Sequence, residues 1–142
     1  MTPLFRKLNL KDQSEIIVLD VPESFETELA ALEGVSVRRS AADVERIDFA
    51  IAFVQTLAEV GAAAEAILPR AEGDGVIWFA YPKGTSKRYR CEFNRDNGWA
   101  AVEAHGFEGV RMVAIDEDWS ALRFRRSALV KRTPRGEARG VR

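Results

Sequence analysis

Cysteine and histidine occur once each in this chain, at Cys91 and His105, and charge of neither sign is in excess. A lone cysteine excludes an internal disulfide framework and fits a reducing compartment. Zinc-ligand spacing is absent, and so is any Ser/His/Asp pattern. No apolar run is long enough to span a bilayer, and the first residues lack the basic-then-apolar layout of a signal peptide. The expected location is therefore cytoplasmic, with no membrane partner. A formal net charge of -1 gives no overall argument for nucleic acid. Internal repeats and interior linkers are missing as well.

What is present suits one domain. The chain has 142 residues, 46% of them hydrophobic and 30% charged, enough to build a core and cover it. Residues 1–126 read as that domain and residues 127–142 as a basic tail. The tail carries Lys131, Arg132, Arg135, Arg139 and Arg142 against Glu137, and is broken by Pro134, Gly136 and Gly140. It has no interleaved aromatics to stack on bases, so nucleic acid is at most a minor partner.

Periodicity supplies the elements. Thr2-Pro3 reads as a helix start. The apolar runs Ile16 to Val21, Ile47 to Val54 and Val76 to Tyr81 read as strands covered on both faces, and Val35 to Val37 as a short strand. Ser24 is placed to cap a helix that turns Phe25, Leu29 and Leu32 to the sheet and ends at Gly34. Thr56 and Glu59 form a capping box for a helix with Leu57, Val60, Ala64, Ile67 and Leu68 inward, stopped near Pro69. A further helix opens at Asn94-Arg95-Asp96 and ends at His105-Gly106-Phe107. Val110 to Ile115 and Trp119 to Phe124 follow as strands joined by the acidic turn Asp116-Glu117-Asp118. Strands alternating with helices imply a doubly wound, mostly parallel α/β sheet of about six strands. The last two strands are too close for a helical crossover, so they close it as an antiparallel β-hairpin.

Leu8 to Val21, Tyr81-Pro82-Lys83-Gly84, Asn94-Arg95-Asp96 through Trp99, and Asp116 with Trp119-Ser120-Ala121-Leu122-Arg123-Phe124 carry a resemblance. Over about residues 4 to 125 the chain resembles a small bacterial family known only as a domain of unknown function, with a Rossmann-like fold. That fold is similar to the S-adenosylmethionine-dependent methyltransferases. The resemblance implies that the last strand pairs antiparallel beside the fourth, and it brings no activity with it.

Two departures bear on a cofactor. Methyltransferases have a glycine-rich turn after the first strand, whereas Leu19 to Phe25 contains no glycine and Pro22 lacks an N–H. Arg38 and Arg39 stand where an acidic residue usually holds the ribose. The expectation from these residues is that no cofactor binds, S-adenosylmethionine being disfavoured.

A site is expected where the fourth strand ends, because ligands of doubly wound sheets lie beyond the carboxyl ends of the parallel strands. Lys83, Gly84, Thr85, Ser86 and Lys87 form a basic loop there, and Asn94 and Arg95 open the next helix with its positive dipole end. With the last strand paired beside the fourth, as the resemblance implies, Trp119 and Ser120 begin it at the same edge. These residues have the composition of a phosphate or carboxylate cradle, without the spacing of a Walker motif. The plainer alternative is structural: the acidic turn pairs with the basic loop, Asn94 only caps, and Trp119 only packs.

His105 at a helix end reads as satisfying carbonyls. Cys91 in the basic stretch Lys87, Arg88, Arg90 reads as a half-exposed inert thiol, the alternative being a reactive one activated by those charges. The adjacent carboxylates of 116–118 cannot all converge on one cation, so no metal is expected. The functional expectation is a binding module, degenerate with respect to methyl transfer and acting on a protein partner or an anionic metabolite. The alternative is an enzyme or sensor for an anionic small molecule at the Lys83/Arg95/Trp119 edge. Either a monomer or a homodimer is compatible with the sequence.

Overall fold

Six strands hydrogen-bond into one sheet: β1 (Glu15–Leu19), β2 (Ser36–Arg38), β3 (Ile47–Phe53), β4 (Ala71–Pro82), β5 (Phe107–Ala114) and β6 (Trp119–Arg126). Their spatial order is β2-β1-β3-β4-β6-β5. β1 pairs parallel with β2 and β3, and β3 with β4, while β6 runs antiparallel to both β4 and β5. This computed structural model describes residues 2–42 and 44–130. The basic residues expected to form a tail lie outside it from residue 131 onward.

Among the described residues four α-helices, α1 (Pro3–Lys7), α2 (Glu23–Ala30), α3 (Leu57–Ile67) and α4 (Ala100–Glu103), cover both faces of the sheet. Strand alternation divides the core accordingly. Phe49, Ile51, Trp78 and Ala80 meet Phe5 and Phe25 on the α1/α2 face. Ala50, Ala52, Ile77 and Phe79 meet Val60, Ile67 and Val102 on the α3/α4 face. Each fully buried Phe, Leu or Ile contributes about 1.5–3 kcal/mol, which is why the central strands read as unbroken apolar runs.

Local chemistry sets several element ends. Thr2 Oγ1 accepts from Phe5 N–H at 3.1 Å, with Pro3 at the first helical position. Thr56 Oγ1 accepts from Glu59 N–H at 3.1 Å, and the Glu59 carboxylate accepts from Thr56 N–H. Thr56→Ala should cost about 1 kcal/mol, seen as a lower urea midpoint at unchanged slope; an unmoved midpoint would show that the cap adds nothing.

Other ends differ from the sequence pattern. Ser24 does not cap α2, because the helix begins two residues earlier with Pro22 as its N-cap, and the Ser24 hydroxyl instead donates to Asp116 Oδ2 at 3.2 Å. Leu57 sits in the first turn of α3 and is 52% exposed, with Val60, Ala63, Ala64 and Ile67 forming the buried face. The helix expected at Asn94 starts only at Ala100. Over 94–98 the short polar side chains hydrogen-bond their own backbone: Asn94 Oδ1 accepts from Asp96 N–H at 2.8 Å, and Asn97 Oδ1 from Asn94 N–H at 3.1 Å. These bonds compete with helix formation, and Gly98 at φ 89° ends the turn. Gly106 at φ 84° closes α4 in the left-handed conformation that glycine adopts freely.

Candidate functional site

The carboxyl ends of β1, β3 and β4 share one edge, and the start of β6 joins them because Trp119 pairs with Pro82. Residues 83–99 return across this edge from β4 to α4. Two anchors tie them to the acidic turn. Lys83 N–H donates to the Asp118 carbonyl at 2.8 Å, and the Ser86 hydroxyl donates to Asp118 Oδ1 at 2.8 Å. Ser86 Oγ also accepts the N–H groups of Arg88 and Tyr89 at 3.2 and 3.1 Å. The acidic turn holds itself with Asp116, whose Oδ1 accepts from Asp118 N–H and Trp119 N–H at 2.8 and 2.9 Å.

The acidic turn therefore engages the loop through a hydroxyl and the backbone, not through its lysines. Lys83, Lys87 and Arg90 form no ion pair among the described residues, and Arg88 reaches Asp118 only at 4.0 Å. These four cations line a hollow of about 640 Å³. Gly84, Ser86 and Asn94 lie along it, and Tyr81, Tyr89 and Phe93 supply its aromatic wall. Its size is in the range of small-molecule sites. Tyr81 and Phe93 pack on Trp99 at 5.7 and 4.9 Å between ring centroids, and the Trp99 indole N–H donates to the Asn94 carbonyl at 3.1 Å. The wall is thus built into the core.

Of the residues expected at this site, the structure gathers Lys83, Gly84, Ser86, Lys87 and Asn94. Thr85 is exposed in the same loop without lining the hollow. Arg95 lines a separate hollow of about 570 Å³ beside β5 and pairs with Asp96 at 3.6 Å. With no helix opening at Asn94, that residue brings no helix N-terminus to the hollow; the helix end that meets the 83–99 loop is that of α3, whose Leu57 N–H donates to the Glu92 carboxylate at 2.8 Å. Trp119 and Ser120 are buried, at 2% and 6% exposure, and belong to the core. Trp119 stacks between Phe53 and Tyr89 at 5.1 and 4.9 Å. Tyr89, Arg90 and Phe93 were not expected; the run Arg88-Tyr89-Arg90, a ring between two cations, is the signal that points to them.

Burial pushes the Cys91 thiol up, against a weaker backbone hydrogen bond from Phe93, so the nearby cations do not activate it. Burial also raises Tyr81, whose hydroxyl donates to Met112 Sδ at 3.2 Å. His105 Nε2 lies 3.8 Å from Glu65 Oε2, a contact between α4 and α3. Among the described residues no group of three or more His, Cys, Asp or Glu side chains gathers as a metal site, and no helix is long and apolar enough to cross a membrane.

No family model and no curated protein matches this sequence. Solved structures do resemble it in fold. The pyocyanin biosynthetic protein PhzM superposes with a TM-score of 0.52 at 14% identity, over 87% of this chain and 54% of that one. Magnesium protoporphyrin IX methyltransferase ChlM from Synechocystis PCC 6803, solved with S-adenosylmethionine bound, gives 0.54 at 13% identity, over 87% and 74%. LepI in complex with S-adenosylmethionine gives 0.51 at 13%, over 85% and 38%. The chain spans about half the length of PhzM and little more than a third of LepI. The fold is that of the S-adenosylmethionine-dependent methyltransferases. The expectation of no cofactor is corrected by this finding, since chains of this fold carry S-adenosylmethionine in ChlM and LepI. The turn after β1 takes left-handed backbone without glycine, through Asp20 at φ 55°. Aspartate enters that region more readily than most residues.

Proposed function

We propose that this methyltransferase-fold domain binds an anionic small molecule, phosphorylated or carboxylated, in the basic hollow beside the carboxyl end of β4. One observation carries the reading: Lys83, Lys87 and Arg90 converge on a hollow of about 640 Å³ with no carboxylate paired to them among the described residues. Cations held together without counter-charge repel, and an anionic ligand removes that cost. The aromatic wall keeps one side of the ligand dry.

The test is a thermal-shift panel of pyrophosphate, nucleotides, sugar phosphates and dicarboxylates at constant ionic strength. A ligand at a hundred times its dissociation constant should add about 2.7 kcal/mol of stability. Lys83→Ala and Lys87→Ala should each weaken that ligand about tenfold, the worth of one charge-assisted hydrogen bond, and leave the unliganded melting temperature unchanged. Silence across the panel, or full affinity in both variants, overturns the reading.

The ligand bound in ChlM and LepI supports a second reading, S-adenosylmethionine at the carboxyl ends of β1 and β3. Arg39 is drawn back onto Glu26 by two bonds of 2.6 and 2.8 Å, and Arg38 is hydrogen-bonded to Glu15. The polar residues left to hold the group at that edge are Asp20, Ser24 and Gln55. When bound, the cofactor supplies an electrophilic methyl group. Stabilisation by S-adenosylmethionine that survives Lys83→Ala supports this second site, and no stabilisation overturns it.

A further inference from the structure

Lys83 and Lys87 flank a tight turn, closed by Ser86 N–H on the Lys83 carbonyl at 3.0 Å. The turn folds the chain back, so that cations before and after it line one hollow together with Arg88 and Arg90. Four cations thus share about 640 Å³, and the carboxylates around them are engaged elsewhere. Asp118 accepts from the Ser86 hydroxyl at 2.8 Å and meets Arg88 only at 4.0 Å. Glu59 and Glu92 line a neighbouring hollow with Arg90, but both serve the amino end of α3. The Glu59 carboxylate accepts from Gln55 N–H at 2.6 Å, and the Glu92 carboxylate from Leu57 N–H at 2.8 Å.

Such a hollow is too positive for one charge and too large for one phosphate. A monoanion would leave most of the repulsion among the four cations in place. A single phosphate would also fill only a small part of a volume suited to larger ligands. A chain of two or three phosphates meets both requirements, because each added group brings further charge and further oxygens for the lysine and arginine donors.

The rest of the volume lies against aromatic surface. Tyr81 and Phe93 are buried in the wall, and Tyr89 is its half-exposed ring, packed on Trp119 at 4.9 Å between centroids. A ring already fixed in this way loses little freedom when a planar group stacks on it. Arg88 and Arg90 flank it in the chain, and cations interleaved with a ring bind bases and phosphates together. We propose, on the reading of this hollow as an anion site, that its ligand is a nucleoside di- or triphosphate. The phosphate chain lies on Lys83, Lys87, Arg88 and Arg90, and the base lies against Tyr89.

The test is a ladder of ligands titrated by calorimetry into the full chain at fixed ionic strength: the mono-, di- and triphosphates of adenosine and guanosine, inorganic triphosphate, and succinate. Affinity should rise about tenfold with each added phosphate. A nucleoside triphosphate should bind about tenfold tighter than inorganic triphosphate, the worth of one stacked base. Arg88→Gln combined with Arg90→Gln, both at exposed positions, should remove at least one step of the ladder. Tyr89→Leu, which keeps an apolar contact on Trp119, should erase the advantage over inorganic triphosphate and leave the steps. Arg95→Gln, beside the other hollow, should change neither. Succinate or a monophosphate bound as tightly as the triphosphate, and lost in Lys83→Ala, keeps the anion site and overturns the nucleoside polyphosphate. Inorganic triphosphate equal to the nucleoside triphosphate overturns it in the same way. A single-stranded oligonucleotide that displaces the nucleotide at lower concentration, with a steep salt dependence, overturns it in favour of nucleic acid. Silence of every ligand overturns the anion site itself.

Discussion

Trp78→Ala should destabilise the domain by about 3–5 kcal/mol, the largest effect expected of any single substitution considered. Trp78 is fully buried in the middle of β4, on the face closed by α1 and α2. Truncation opens a cavity the size of an indole and also removes the donor for the Leu8 carbonyl, which ends α1. α1 has only five residues, too short to persist alone, so its position depends on that bond and on Leu4, Phe5 and Leu8. A domain of this size is stable by about 5–15 kcal/mol, so the variant loses about a fifth or more of that. Urea denaturation followed by circular dichroism measures it. Trp78→Phe separates the two contributions, because it keeps most of the volume and should cost only the stranded carbonyl, about 1–3 kcal/mol. A midpoint in Trp78→Ala equal to that of the parent chain would show that α1 is not held in this way.

Gly98→Ala should cost about 2–5 kcal/mol, from about 1–2 for left-handed backbone and about 1–3 for overpacking. Gly98 has φ 89°, and an added Cβ would lie 2.9 Å from Phe93 Cγ, nearer still to Phe93 Cβ, and 3.2 Å from Leu57 Cδ2. Phe93 cannot yield easily, since its Cβ is fixed to the backbone and its ring packs on Trp99 and Tyr81. Any relaxation therefore moves Phe93 and Asn94, which line the basic hollow. Stability and ligand affinity should fall together. Gly84→Ala is the matched control, because its Cβ would meet nothing within 4 Å and the change should stay within about 0.5 kcal/mol. Loss of affinity in Gly84→Ala but not in Gly98→Ala would place the ligand's contacts on the loop alone.

The legible parts of the fold are those governed by short-range pattern. β1, β3 and the inner half of β4 are readable because strands covered on both faces must be apolar throughout. The Thr56/Glu59 box is readable because both partners lie within one turn. The place of β6 between β4 and β5 came from the resemblance, as nothing in periodicity orders strands in space. Misreadings fall where a remote partner prevailed over a local one, or where side chains bonded their own loop in place of a helix. Ser24 binds Asp116, 92 residues away, instead of capping its helix. Asn94 and Asn97 bind backbone within their own loop, so the helix starts at Ala100.

The candidate site follows the same division. Lys83, Gly84, Ser86 and Lys87 are adjacent in sequence, and their grouping follows from the chain alone. Whether their charge is neutralised does not, because the acidic turn comes to the same edge and only its geometry decides the matter. Asp118 takes the Ser86 hydroxyl and the Lys83 N–H, and the lysines stay unpaired among the described residues. Burial of Trp119 and the separation of Arg95 from Lys83 are likewise set by packing between distant segments. The sequence by itself determined the α/β class, the strand-forming runs and the local caps, since these depend on burial period and on partners a few residues apart. The tertiary structure alone decided which cations at the hollow remain without counter-charge among the described residues, because ion pairing depends on distances across the sheet that no local pattern encodes.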